Sequence, residues 1–216
     1  KYAVKYADIV THSYHPVKQI TSGEGGAILT NNTEFYEKVK TLRTHGITKD
    51  QETLDQEGPW YYEMHRLGYN YRMTDIQCAL GSSQLEKLSK FIIKRRKIAK
   101  FYDHHLIKKP FIKTPDIDSN IEHAYHLYPI LVEFKKYNIS KKVFFLKMRK
   151  NNINLQVHYI PITSQPYYIK NYGFNTKKFP VSNDYYKKAV SIPIYYSLKL
   201  NEQQYVLDKI NKLLKV

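Results

Sequence analysis

Ser13-Tyr14-His15-Pro16-Val17-Lys18, closed by Gly23-Glu24-Gly25-Gly26-Ala27-Ile28-Leu29-Thr30, decides how this chain is read. The string sets one lysine on a short loop between an apolar strand containing Ala7-Asp8-Ile9-Val10 and a glycine turn that enters a second strand. Packed walls around such a loop strip water from an amine, which favours its neutral, nucleophilic form and Schiff-base formation with a carbonyl. Pyridoxal phosphate (PLP) is the cofactor that most often requires a lysine of this kind. Pro16 stiffens the loop, and Gly23, Gly25 and Gly26 allow backbone to approach a ligand closely. Ser13, five positions before Lys18, offers a hydroxyl to a phosphate.

Outside this string, composition sets limits. The 216 residues are 42% hydrophobic, enough for a substantial core in one domain or slightly more. No apolar run approaches the roughly 18 residues that would span a bilayer, and the single Cys78 fits no disulfide framework, so a cytoplasmic protein is expected. Lys and Arg number 35 against 19 Asp and Glu, a formal charge of +16. The basic residues are scattered rather than banded. Their densest patch, Lys94-Arg95-Arg96-Lys97, reads as a solvated helix face, so neither nucleic acid nor membrane is expected as a partner. The histidines His104, His105, His123 and His126 lack Cys or carboxylate partners at ligand spacing, so no metal is expected.

Strands are expected near residues 7–13 and 26–31, then a helix capped by Thr33 through Leu42. Residues 44–73 read as irregular and too long to be an idle loop, which points to function or subunit contact. Thr74-Asp75-Ile76-Gln77 is a capping box that starts a helix to about Leu88, with a second helix over 89–106. A strand (124–133), a helix (140–150), a strand (154–160), a looped stretch rich in Pro and Tyr, and two short helices follow, the last over 201–214. Residues 1–106 and 107–216 are thus read as a larger domain with its helical linker and a smaller α/β domain.

With these residues in view, Ser-Tyr-His-Pro-Val-Lys before Gly-Glu-Gly-Gly resembles the cofactor-lysine signature of the DegT/DnrJ/EryC1/StrS sugar-nucleotide aminotransferases. The resemblance runs over essentially the whole chain. It implies an α/β protein of PLP-dependent fold type I, the aspartate aminotransferase architecture, comprising the C-terminal part of the large domain and the small domain. It gives Lys18 the Schiff base and the proton shuttle, and Ser13 a phosphate contact. Gly68-Tyr69-Asn70-Tyr71-Arg72 resembles a family segment whose asparagine reaches the PLP phosphate of the neighbouring subunit. Asn70 is therefore expected to act across a homodimer with a shared active site, and Arg72 to lie near cofactor or substrate anion. His123-Ala124-Tyr125-His126-Leu127-Tyr128 and Val157-His158-Tyr159-Ile160-Pro161 resemble strands of the small domain, which sets His158 and Tyr159 at the mouth of the substrate site.

Gly58-Pro59-Trp60-Tyr61-Tyr62-Glu63-Met64 and Arg43-Thr44-His45-Gly46-Ile47-Thr48 are most similar to one branch of that family. Its members aminate C4 of a UDP-linked 4-keto-6-deoxy-N-acetylhexosamine, with glutamate as donor, in pseudaminic acid biosynthesis. Other nucleotide-sugar aminotransferases share most of these positions. A related dehydratase branch carries histidine in place of the lysine, and Lys18 argues against it. Fold type I also needs an aspartate for the pyridinium nitrogen and an aromatic group stacked on the ring, both before the lysine strand. Asp8 lies too close to Lys18 for that role, so these groups are expected upstream of Lys1, and the chain alone is expected to be catalytically incomplete, serving at most to dimerise.

Overall fold

The structure is a computed structural model that describes residues 5–215. It divides into two compact units, one running to Leu88 and the other from Ser89.

The N-terminal unit opens on a hairpin. Strand β1 (Val10–Ser13) pairs antiparallel with β2 (Gly26–Leu29), with Val10 opposite Leu29 and Ser13 opposite Gly26. The expected strand over 7–13 is thus shorter at its start. Ala7, Asp8 and Ile9 precede the ladder and are exposed, so the lysine loop lacks the apolar wall expected from them. Helix α1 spans Thr33–Leu42, and its cap is Asn32 rather than Thr33: the Asn32 side chain accepts from Phe35 N–H at 3.0 Å. Residues 44–73, expected to be irregular, hold a two-residue ladder of β3 (Ile47–Thr48) with β4 (Glu63–Met64) and a short helix α2 (Gln51–Glu57). Asp50 starts α2 by accepting from both Thr53 N–H and its hydroxyl, and Gly58 at φ 114° ends it. Helix α3 (Asp75–Leu85) begins at Thr74 with the full capping box, as its sequence specifies.

The C-terminal unit is built on helix α4 (Leu88–Leu106) and an antiparallel sheet in the order β5 (Ile112–Lys113), β6 (Tyr128–Val132), β7 (Ala189–Ile192). Helices α5 (Lys141–Lys150), α6 (Pro166–Tyr172), α7 (Pro180–Lys188) and α8 (Leu200–Leu214) complete it. Ile98, Ala99, Tyr102 and Leu106 of α4 join Tyr128, Ile130 and Val132 of β6, Phe144 and Met148 of α5 and Val206, Leu207 and Ile210 of α8 in one buried cluster. That packing differs from the expected boundary: α4 belongs with the C-terminal unit's core, and the two compact units divide at Leu88/Ser89 rather than after residue 106.

Two expected strands also change. Residues 154–160 form none, contributing only an isolated bridge from Gln156 to Ser191. The strand expected over 124–133 shrinks to Tyr128–Val132, leaving His123–Leu127 as a loop.

Arg95 explains that loop. It is buried, not part of a solvated basic face, and its Nη1 donates to the carbonyls of Tyr125 (3.0 Å), His126 (3.2 Å) and Ile194 (3.0 Å). Desolvation pushes its pKa below the usual guanidinium value. Neighbouring Arg96 donates from Nε to the His123 carbonyl at 3.0 Å and pairs with Glu122. Carbonyls spent on arginine are unavailable to a ladder. Deeper in the core the Tyr128 hydroxyl donates to the Asp103 carboxylate, and burial together with that bond pushes the Tyr128 pKa up.

Candidate active site

The lysine loop, residues 14–25, closes on itself through backbone. Tyr14 N–H donates to the Gly25 carbonyl at 2.8 Å, extending the hairpin by one rung, and the Tyr14 carbonyl accepts from Ser22 N–H (3.0 Å) and the Thr21 hydroxyl (2.9 Å). Lys18 N–H returns to the His15 carbonyl at 3.0 Å, forming the tight turn that Pro16 pre-sets. Lys18 is half-buried within this arch. Glu24, the carboxylate of the loop, faces His15 at 3.7 Å, and among the described residues no carboxylate pairs with the Lys18 amine. Ser13 is exposed at the start of the loop, and its Oγ accepts from His15 N–H at 3.4 Å.

The glycine turn has a packing reason. A Cβ on Gly26 would press against the His12 carbonyl oxygen, and one on Gly25, at φ 143°, would lie 2.8 Å from both Met73 Cε and Ser22 Oγ. Met73 directly follows the Gly68–Arg72 motif, so the turn after the lysine packs against the segment that follows Asn70.

Asn70 is exposed, and its backbone forms an isolated bridge with Thr44. Flanking it, Tyr69 N–H donates to Leu42 (2.7 Å), Tyr71 N–H to Arg43 (2.9 Å), and His45 N–H to Tyr69 (2.8 Å). The Tyr69 and Tyr71 rings stack at 4.7 Å beside it. These rungs need close backbone approach: a Cβ at Gly46 would overlap the Arg66 carbonyl, and one at Gly68 the Gly46 nitrogen. Arg72 is exposed and, with Arg43 and Lys40, lines a cavity of about 1050 Å³ beside β2 and α1. Ser13, Lys18 and Asn70 do not line it, but Glu24, Gly25 and Gly26 of the lysine motif do.

The N-terminal unit therefore carries Ser13, Lys18, Asn70 and Arg72. His158 and Tyr159 belong to the C-terminal unit, where they lie on a loop rather than the expected strand. His158 is half-buried, with Nδ1 2.8 Å from Ser191 Oγ on β7, while Tyr159 is exposed.

The residues present fit PLP. Lys18, whose amine has no carboxylate partner among the described residues, stands on the loop that follows the Ser13 hydroxyl and precedes the close-packed Gly25 and Gly26. Among the described residues no group of three or more His, Cys, Asp and Glu is placed to hold a metal ion, and no helix is long and apolar enough to cross a membrane.

Residues 1–211 match the DegT/DnrJ/EryC1/StrS aminotransferase family. A Campylobacter jejuni protein named UDP-4-amino-4,6-dideoxy-N-acetyl-beta-L-altrosamine transaminase is 38% identical over 97% of this chain and 53% of its own length. Among solved structures, Helicobacter pylori PseC, an aminotransferase involved in the biosynthesis of pseudoaminic acid, superposes with a TM-score of 0.88 at 31% identity, covering 97% of this chain and 54% of that one. A putative sugar aminotransferase from Streptococcus pneumoniae in its PMP form gives 0.86 at 27% identity, with 97% and 53% covered. The chain spans about half the length of the curated relatives it matches, and it has the α/β fold of the sugar aminotransferases.

Proposed function

We propose a function for this chain on the premise that it belongs to the DegT/DnrJ/EryC1/StrS aminotransferase family: it supplies the lysine-bearing part of a PLP-dependent transaminase acting on a nucleotide sugar. The observation that carries this reading is the Lys18 arch, a half-buried lysine with no carboxylate partner among the described residues, held by backbone between two paired strands.

PLP, when bound, supplies an electron sink and carries the amino group from donor to acceptor. Lys18 is the residue that would hold it covalently, and its Nζ would be the group placed to hold and return a proton at the substrate carbon. The Ser13 hydroxyl would donate to the phosphate. Asn70 makes the same kind of contact to a second subunit's phosphate, in a cytoplasmic homodimer with shared sites. Arg72, His158 and Tyr159 face the sugar nucleotide.

The names of the C. jejuni and H. pylori relatives support a UDP-linked 4-keto-6-deoxy-N-acetylhexosamine as acceptor, in pseudaminic acid biosynthesis; glutamate as donor rests on the family resemblance alone. We assign the proposed lysine and phosphate contacts to the PLP-binding part of the chain and the proposed substrate-facing pair, His158 and Tyr159, to the small domain; the division into compact units after Leu88 supports this assignment.

Titration of the chain with PLP tests the central assignment. An absorbance band near the edge of the visible is expected, and Lys18→Ala removes it. A band that survives Lys18→Ala overturns Lys18 as the cofactor lysine.

A further inference from the structure

One side chain joins the two motif segments of the N-terminal unit. Gln77 completes the α3 capping box with one half of its amide: Oε1 accepts from Thr74 N–H (3.0 Å) and from the Thr74 hydroxyl (3.1 Å). The other half leaves the helix. Nε2 donates to the Glu24 carbonyl at 3.1 Å, 53 positions away in sequence. That carbonyl also accepts from Ser22 Oγ at 2.8 Å, and Ser22 is the buried polar side chain at the base of the lysine arch.

The tie does not act alone. Gly25, next to Glu24, packs against the Met73 side chain too closely to admit a Cβ. The far end of the same segment is zipped to residues 42–45 through Tyr69, Asn70 and Tyr71. The Asn70 segment is thus fixed at one end by backbone rungs and at the other by Gln77 and Met73 on the glycine turn that follows Lys18.

We propose that Gln77 is a positioning residue: its Nε2–Glu24 bond fixes the lysine arch against the Asn70 segment, so that the two cofactor contacts move as one body. The inference rests on the proposed role of Lys18 and Asn70. With Asn70 serving the neighbouring subunit, the bond links the lysine loop of one active site to the phosphate contact of the other. A cap needs only an acceptor at this position, and glutamate supplies one equally well. The cross-link needs the amide N–H₂, which glutamate lacks.

That difference separates the two roles. Gln77→Glu keeps the helix cap and loses the tie; Thr74→Ala weakens the cap and keeps the tie. For Gln77→Glu, amide exchange at Tyr14 and Ser22 is expected to quicken about five- to tenfold, the worth of one hydrogen bond, and the affinity for PLP, read from the Lys18-dependent band, to fall by a similar factor. Thr74→Ala is expected to quicken exchange in the first turn of α3 and leave the arch and the band unchanged. Wild-type behaviour of Gln77→Glu in both readouts overturns the proposal, as does the same exchange pattern in both variants. If the unsubstituted chain shows no Lys18-dependent band, the cofactor reading fails separately, and exchange at Tyr14 and Ser22 still upholds or overturns the tie.

Discussion

The two units hold themselves together by different means. Every buried apolar residue of the described chain lies between Ile98 and Leu214, and the C-terminal unit closes around that cluster. Among its described residues the N-terminal unit has no such cluster. Ile28, Leu29, Tyr36, Trp60, Leu67 and Ile76 are all exposed, and Ser22 is its buried side chain. Its order comes from backbone rungs, caps and glycines at close approach. The unit that carries the proposed chemistry is therefore specified by hydrogen-bond geometry, whereas the other is specified by apolar packing. Hydrogen-bonded loops exchange and open more readily than packed cores, which suits a loop that must admit a ligand.

Substitutions sharpen or break this contrast. Phe144→Ala removes a ring at the centre of the C-terminal core and should cost about 3–5 kcal/mol, read by denaturant unfolding of that unit; Leu67→Ala, on a side chain 88% exposed, should stay within about 0.5 kcal/mol. Equal costs would dissolve the contrast.

Arg95→Ala strips the donor from three carbonyls and should cost about 2–3 kcal/mol, with faster exchange localised to residues around Tyr125 and Ile194. Gly46→Ala is the corresponding test in the N-terminal unit. With φ at 71° and the Arg66 carbonyl in the way, it should cost upwards of about 1 kcal/mol and loosen the Thr44–Asn70 bridge, seen as loss of protection at Tyr69 and Tyr71. A silent Gly46→Ala would mean that close approach does not hold this unit.

The smallest effect is on the surface. Lys188 donates to Asp184 (2.8 Å) and Glu133 (2.6 Å), and these bonds, Asp184 first, raise its pKa above the ordinary 10.5. Its folded-state pKa exceeds the unfolded one, so the contribution is complete below pH 10.5 and is lost as pH rises through the folded value. Lys188→Met should flatten that alkaline loss in a melting-temperature profile.

The same contrast governs what could be read beforehand. Local rules were visible: the Thr74 capping box, the α5 start at Ser140 and the hairpin around the lysine follow from neighbouring residues. Long-range choices were not. β7 is a four-residue run, too short to show a period, and becomes a strand because β6 pairs with it. Arg95 sits among three other cations in sequence, and only the fold brings Tyr125, His126 and Ile194 to it. One local choice was also missed: Asn32 rather than Thr33 caps α1, because its side chain reaches Phe35 N–H and both residue types suit a cap. Gln77 was legible as a cap, but its second arm was not, since Glu24 is remote in sequence. A cap glutamine, unlike a cap glutamate, always keeps a donor to spare, and that was the available signal.

Arg95 can also be viewed as an ion and its solvent. A guanidinium stays charged across the accessible pH range, so it must always be hydrated by something. Here the shell is made of peptide oxygens drawn from stretches of chain 30, 31 and 99 positions away. None of these stretches can depart without leaving the ion partly dry, so the loop before β6 and the turn after β7 are bound to detach together. Loss of either is then one step in which water replaces all three oxygens, insensitive to pH and shared by two segments that never touch in sequence.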